Sequence, residues 1–230
     1  MIDVHTHILP FIDDGSPDFE TSLKMLTEAE KKGISDIILT PHALRLNIKP
    51  YSKADLLKIY AKFCEEARAT SVRLHLGQEI SCHRNLLSAL KNNDLLSINN
   101  SNYLLLELPF TETVEDFDEL VYSITTLGYQ IIIAHIERYM YLDYDDILSY
   151  CKYPVMLQVN SGSIIGANGK ACQKLCLRLI SQGFVKLVGS DVHSFRTNDL
   201  DEAYSLVSDK FGTNLAKQIF IDNPKQLFNL

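Results

Sequence analysis

The chain has 230 residues, 46% hydrophobic and 22% charged, the proportions of a soluble globular protein with ample core for one large domain. A net charge of −7 without a basic run disfavours nucleic acid as the main partner, and no apolar run approaches the ~18 residues needed to span a bilayer. Five cysteines without framework spacing, behind a start that lacks a basic segment and apolar core, read as reduced thiols in a cytoplasmic protein with no secretion signal.

Residues 2–5 read as a short buried strand running into His5-Thr6-His7. Side chains at i and i+2 on a strand share a side, so His5 and His7 project together, as two ligands of one metal must. Ser16 reads as the N-cap of a helix, with Pro17 at its first position and Phe19, Leu23, Leu26 and Ala29 at helical spacing up to Gly33. A strand over 34–39 then ends in Thr40-Pro41-His42. The pattern repeats: a helix over 53–69 and a strand over 72–77 deliver Glu79, and a helix over 85–91 and a strand over 103–106 deliver Glu107. A helix over 114–127 stops at Gly128, and the strand 131–134 ends in His135. A short helix over 145–151 precedes the strand 155–159, which ends in Asn160. A helix over 171–182 precedes the strand 185–188, which leads to Asp191 and His193, and helical stretches over 199–210 and 213–219 follow.

Seven strands alternating with helices, most of them continuously apolar, call for a parallel α/β sheet. Polar residues at the ends of all seven strands favour a barrel, because a doubly wound sheet gathers its site at one switch point. No Gly-x-Gly-x-x-Gly follows the first strand. Parity places residues 103, 105 and 107 on one inward face, and likewise 131, 133 and 135, and 187, 189 and 191. The inward set is then His5, His7, Asp14, His42, Glu79, Glu107, His135, Asp191 and His193. Five imidazoles and four carboxylates exceed one tetrahedral site and suit two or three divalent ions of the Mn, Fe or Zn type. Three such ions would turn the −4 of the carboxylates into roughly +2, so an acidic protein could act on a phosphate ester by metal-assisted hydrolysis.

In chain order, DVHTH with IDDGS, TPH, GQEI, LELP, AHIERY, QVNSGS and SDVH resemble the PHP (polymerase and histidinol phosphatase) superfamily of metal-dependent phosphoesterases. IDDGS, ERY and VNSGS look most like its bacterial tyrosine-phosphatase branch, associated with capsule and exopolysaccharide synthesis. The resemblance runs from residue 1 to about 196 and implies a single-domain, distorted TIM-like (β/α)7 barrel over 1–230 with three metal ions, usually manganese. By position it implies His5, His7, Glu79 and Asp191 at a first ion, Glu79, Glu107 and His135 at a second, and Asp14, His42 and His193 at a third. Glu79, Asp191 and Arg138 would be the catalytic set, with the Arg138 fork on the substrate phosphate. Arg196, three residues beyond His193, stands closer than the branch's second arginine and is a further candidate for the phosphate. Ile136 replaces a proline of the branch, leaving the turn that carries Arg138 less restrained.

The activity implied is dephosphorylation of protein phosphotyrosine on the tail of a tyrosine autokinase. The alternatives are a small-molecule phosphatase such as histidinol-phosphate phosphatase, and a metal-bound scaffold that binds the kinase without turnover. Asp13 reads as a turn residue, and His75 and His83 as structural or surface residues. Cys172 and Arg178 fit the Cys-x5-Arg pattern of cysteine-dependent tyrosine phosphatases, but their segment has no phosphate-cradling glycines and reads as a helix with buried cysteines.

Overall fold

The computed structural model describes residues 1–230. Seven strand positions follow one another in parallel, as the alternation requires, but two of them are broken. The first is β1 (Ile2–Thr6), followed by helix α1 (Phe19–Lys31). The second divides into β2 (Asp36–Leu39) and β3 (His42–Ala43), because Pro41 between them brings no N–H to the ladder. After α2 (Lys53–Glu66) the third divides into β4 (Arg73–Leu76) and β5 (Glu79–Ser81) at Gly77-Gln78. Then come α3 (Leu86–Lys91), β6 (Tyr103–Glu107), α4 (Phe117–Thr126), β7 (Gln130–Ile133), α5 (Tyr144–Tyr150) and β8 (Val155–Asn160). The chain continues through α6 (Ser161–Ile165), α7 (Lys170–Ser181), β9 (Val185–Gly189), α8 (Leu200–Phe211), α9 (Thr213–Lys217) and α10 (Asn223–Phe228).

Parallel pairing runs β1-β2-β4 in one sheet and β3-β5-β6-β7-β8-β9 in the other. Beyond β9 the chain returns to β1, with the Asp191 N–H on the His5 carbonyl at 2.8 Å and the His7 N–H on the Val192 carbonyl at 3.0 Å. The lower interior is filled by Ile2, Val4, Ile38, Leu105, Ile132, Ala134 and Leu187, with Ile98 and Phe228 packed in the same cluster. The opposite strand faces, Ile37, Leu39, Leu104, Leu106, Ile131 and Ile133 among them, join the larger core formed with the surrounding helices.

Several boundaries differ from the expectations. The N-cap of α1 is Asp18, whose carboxylate accepts the Thr21 N–H at 2.7 Å, while the Ser16 hydroxyl is committed to the Asp18 carbonyl. Helix α4 starts three residues later than expected, after the left-handed Asp116. The short α6 and the terminal α10 were not foreseen.

Parity holds in β6 and fails in β7. Ile131 and Ile133 face the helices and Ile132 and Ala134 face inward, so simple alternation would turn His135 outward. The left-handed backbone of His135 (φ 31°) re-aims it instead. In β1 a register shift against β2 between Asp3 and Thr6 does the same job, letting His5 and His7 point inward above Ile2 and Val4. In β9 Leu187 faces inward as expected, and Gly189 lies against His5, where an added Cβ would stand 2.5 Å from the His5 Cβ.

Gly189→Ala therefore cannot be accommodated without displacing His5, and should cost about 1–3 kcal/mol by overpacking. Urea unfolding of the variant should show a lowered midpoint; an unchanged midpoint would contradict this packing.

Candidate metal centre

The nine residues expected at the strand ends converge on one mouth. His5 Nε2 and His7 Nε2 are 3.3 Å apart, and each is within 3.4 Å of Glu79 Oε2. His42 Nδ1 approaches the same oxygen at 2.9 Å, and His135 Nε2 approaches Glu79 Oε1 at 2.8 Å. Asp191 Oδ1 lies 3.4 Å from His7 Nε2, and Asp14 Oδ1 lies 3.5 Å from both His42 and His193. Three groups have ligand atoms within 4.8 Å of one another: His7, Asp14, His42 and His193; His5, His7 and Glu79; and His42, Glu79 and Glu107. The residues form one continuous cluster in which His7 and His42 each belong to two groups, where position alone assigned each to one ion.

The outer hydrogen bonds settle which nitrogens face the cluster. His5 Nδ1 faces Gln158 Oε1 at 3.3 Å, His7 Nδ1 meets the Asp13 carboxylate at 2.8 Å, and His193 Nδ1 meets the Asp191 carbonyl at 3.0 Å. Each acceptor holds a proton on Nδ1 and leaves Nε2 directed into the mouth, the orientation that metal-binding histidines adopt. The Gln158 oxygen also accepts the His135 N–H at 2.8 Å, and its amide donates to Asn160 Oδ1 at 3.0 Å.

Charge at the mouth asks for a cation. Burial pushes the Glu79 carboxyl upward, yet His5, His42 and His135 hold it well below the usual carboxylate range. Burial likewise opposes Asp191, which the imidazoles of His7, His5 and His135 keep ionised. Asp14 is held low mainly by its hydrogen bond to His193. In return, His5 and His7 rise against burial, drawn up by Glu79 and by Asp13 respectively. Glu79 Oε2 and His135 Nδ1 are buried without any hydrogen-bond partner. Ring nitrogens and carboxylate oxygens converging around an unpartnered carboxylate oxygen fit divalent ions, and the imidazole–carboxylate donor set is of the Mn, Fe or Zn type.

Arg138 donates to Asp191 Oδ2 at 2.9 Å, and Arg196 approaches the same oxygen at 3.6 Å, so both expected arginines reach the mouth. Ile136 is fully buried, so packing holds the turn that a proline ring would otherwise stiffen. Asp13 is more than a turn residue: its carboxylate binds His7 Nδ1 and also accepts the His42 N–H at 3.0 Å. Its place beside a candidate ligand was the only signal available in the sequence. Arg45, which hydrogen-bonds to His42 and lies 3.9 Å from Glu107, was missed, as were Gln158, Phe110 and Phe195. His75 is structural, at 3.0 Å from Asp36, and the Nδ1 of His83 accepts the Asn85 N–H. Cys172 and Cys176 are buried on α7, and burial raises both thiols, the opposite of a nucleophile.

These features define a parallel α/β barrel with a polynuclear-type ligand cluster at the C-terminal ends of its strands. The chain belongs to the capsular polysaccharide synthesis CpsB/CapC family, whose model matches residues 1–229. It is 32% identical over 221 residues to the tyrosine-protein phosphatase YwqE of Bacillus subtilis, covering 94% of this chain and 87% of that one. It is 27% identical over 238 residues to the tyrosine-protein phosphatase CpsB of Streptococcus pneumoniae, covering 99% and 98%. A solved structure from work on YwqE and CpsB, described as metal-dependent tyrosine phosphatases, superposes with a TM-score of 0.92 at 29% identity, covering 100% of this chain and 94% of that one. An organophosphorus hydrolase from Deinococcus radiodurans shares the fold, with a TM-score of 0.67 at 10% identity over 99% and 92% of the two chains. No helix is long and apolar enough to cross a membrane.

Because His5 and His7 hold protons above their ordinary pKa in the metal-free protein, divalent ions must displace protons on binding near neutral pH. Calorimetric titration of metal-free protein with Mn²⁺ should give enthalpies that depend on the buffer's ionisation heat, with net proton release. Enthalpies independent of buffer would contradict this electrostatic reading.

Proposed function

We propose that this chain is a metal-dependent protein-tyrosine phosphatase acting on a phosphotyrosine-bearing protein of capsule or exopolysaccharide synthesis. By the family resemblance, that partner is the tail of a tyrosine autokinase. The nine clustered residues would hold three divalent ions, manganese before iron or zinc, in one domain spanning 1–230. Five free cysteines accord with a cytoplasmic setting. The observation that carries the reading is the convergence of this ligand cluster with three arginines, Arg45, Arg138 and Arg196, on one small cavity.

Bound divalent ions would polarise the phosphoryl oxygens, lower the pKa of water and offset the charge of the leaving oxygen. The protein's own groups do the rest. Arg138 is placed by Asp191 with its guanidinium at the cavity wall, where a second, parallel hydrogen bond can go to phosphate oxygen. Arg196, more exposed, adds charge on the same side. Asp13 and Gln158 orient His7 and His5, so neither imidazole must reorganise when a substrate arrives. A tyrosine leaving group, with a pKa of ~10, needs less proton donation than an alkoxide, and no general acid is required of the cluster.

Phosphate release from a phosphotyrosine peptide and from histidinol phosphate, with Mn²⁺-loaded and EDTA-stripped protein, tests the proposal. The expected result is metal-dependent turnover of the peptide in strong preference, lowered at least ~10²-fold in Arg138→Ala, the range for removing a transition-state donor, and retained in Cys172→Ser. A preference for histidinol phosphate would move the protein to small-molecule metabolism. Metal bound without turnover of either compound would favour the scaffold reading. Loss of turnover in a folded Cys172→Ser protein would overturn the metal mechanism.

A further inference from the structure

Eight large hydrophobic side chains are exposed, and their distribution is uneven. Leu57, Tyr122 and Leu127 belong to helices or a helix end, whereas Phe11, Leu46, Phe110, Met140 and Phe195 all lie on loops that follow strands, around the mouth. Single exposed apolar residues need no explanation, but their gathering at the functional end of a barrel does. Two of the five, Phe110 and Phe195, line the same cavity as the ligand cluster, entering it from the β6 and β9 sides.

Each ring rests on a cluster imidazole and neighbours an arginine. Phe110 stacks on His135 with ring centroids 5.6 Å apart and planes at 20°, and the Arg138 guanidinium lies 5.4 Å from its centroid. Phe195 packs on His193 at 5.3 Å, with the Arg196 guanidinium 5.2 Å from its centroid. Yet Phe110 remains 39% exposed and Phe195 68%, so each is anchored while much of its apolar surface stays free. The cavity holds about 190 Å³, less than the ~300–1,000 Å³ of pockets that enclose a whole small molecule. Only the terminal group of a longer ligand enters it. A phosphoryl group placed among these imidazoles and arginines must present its next atoms to the two rings. A serine or threonine would offer one or two aliphatic carbons there, and a tyrosine offers a flat ring able to pack edge-to-face or offset against phenylalanine.

We propose that Phe110 and Phe195 form an aryl subsite that holds the ring of a phosphotyrosine side chain and sets the preference for aryl over alkyl phosphomonoesters. The inference rests on the phosphatase reading above and assigns its ring selectivity to these residues. Neither side chain can carry a proton or a charge, so they are positioning residues whose effect falls on substrate binding rather than on the chemical step.

The test is to measure kcat and KM for matched phosphotyrosine and phosphoserine peptides with Mn²⁺-loaded wild type, Phe110→Leu, Phe195→Leu, the double variant and Tyr122→Leu. Leucine keeps apolar bulk and removes the ring, and folding is checked by circular dichroism. In the double variant KM for the phosphotyrosine peptide should rise about tenfold, equivalent to about 1.4 kcal/mol, and the phosphotyrosine-to-phosphoserine ratio of kcat/KM should fall with it. Tyr122→Leu, on the outer face of α4, should keep the wild-type ratio. A wild-type preference for phosphotyrosine that survives the double replacement overturns this inference alone. An equal fall in kcat for both peptides also overturns it, because the rings would then merely support the cluster. A wild type inactive on both peptides overturns the phosphatase reading and this inference together.

Discussion

Glu79 keeps a full negative charge where only about 1% of its side chain meets solvent, surrounded by the imidazoles of His5, His7, His42 and His135. Removing a carboxylate from water costs several kcal/mol unless partners return it. The imidazoles return it only if protons or cations come with them. Much of the barrel's upper half follows from this constraint. Gln158 and Asp13 hold protons on the far nitrogens of His5 and His7, and the pairing of β5 with β3 brings Glu79 level with His42.

Several departures from regular strand geometry coincide with cluster residues, although Glu107 is delivered by the regular β6 and a further register shift lies between β8 and β9 at Leu157 and Gln158. The register shift in β1 lies immediately below the His5–His7 pair, and the breaks at Pro41 and Gly77-Gln78 immediately precede His42 and Glu79. His135 and Asp191 both adopt left-handed backbone, a conformation that costs a non-glycine residue energy and is kept only where the surroundings enforce it. For His135 the enforcing bond is visible, its N–H held by the buried Gln158 amide. For Asp191 it is the return to β1, where its own N–H binds the His5 carbonyl. The same bonds that join the last strand to the first therefore place a carboxylate beside the first histidines.

Much of this was legible in the sequence because apolar runs and their polar ends are local signals. Each of the seven strands, most of the helices and the cluster residues that follow strand ends could be read from such runs, whereas α6 and α10 could not and Asp14 sits in a loop well beyond β1. What escaped was set by tertiary contact. The inward face of β7 could not be read by counting in twos, since Ile131 to Ala134 are uniformly apolar and the reversal lies in one φ angle at His135. Asp13 looked like a turn residue because its partners, His7 and the His42 N–H, meet it only in the fold. Ser16 and Asp18 were both able to cap α1, and the choice fell to Asp18 when the Ser16 hydroxyl found the Asp18 carbonyl and Ser22. Arg45 carries no motif at all, and it reaches His42 and Glu107 from an otherwise unremarked loop.

An acidic chain of net charge −7 can attract a phosphate only if the mouth is locally reversed in sign. Arg138 and Arg196 are both drawn toward Asp191 and Arg45 lies near Glu107, so the arginine charge at the mouth is already paired with carboxylates and the reversal depends on bound cations. The most direct measurement is a crystal structure of Mn²⁺-soaked protein with anomalous scattering recorded at the manganese edge. Three anomalous peaks are expected at the barrel mouth, with Glu79 between two of them and the His5 and His7 Nε2 atoms turned toward them. Anomalous peaks confined to the surface, or a mouth filled only by water and protonated imidazoles, would contradict this dependence on bound cations.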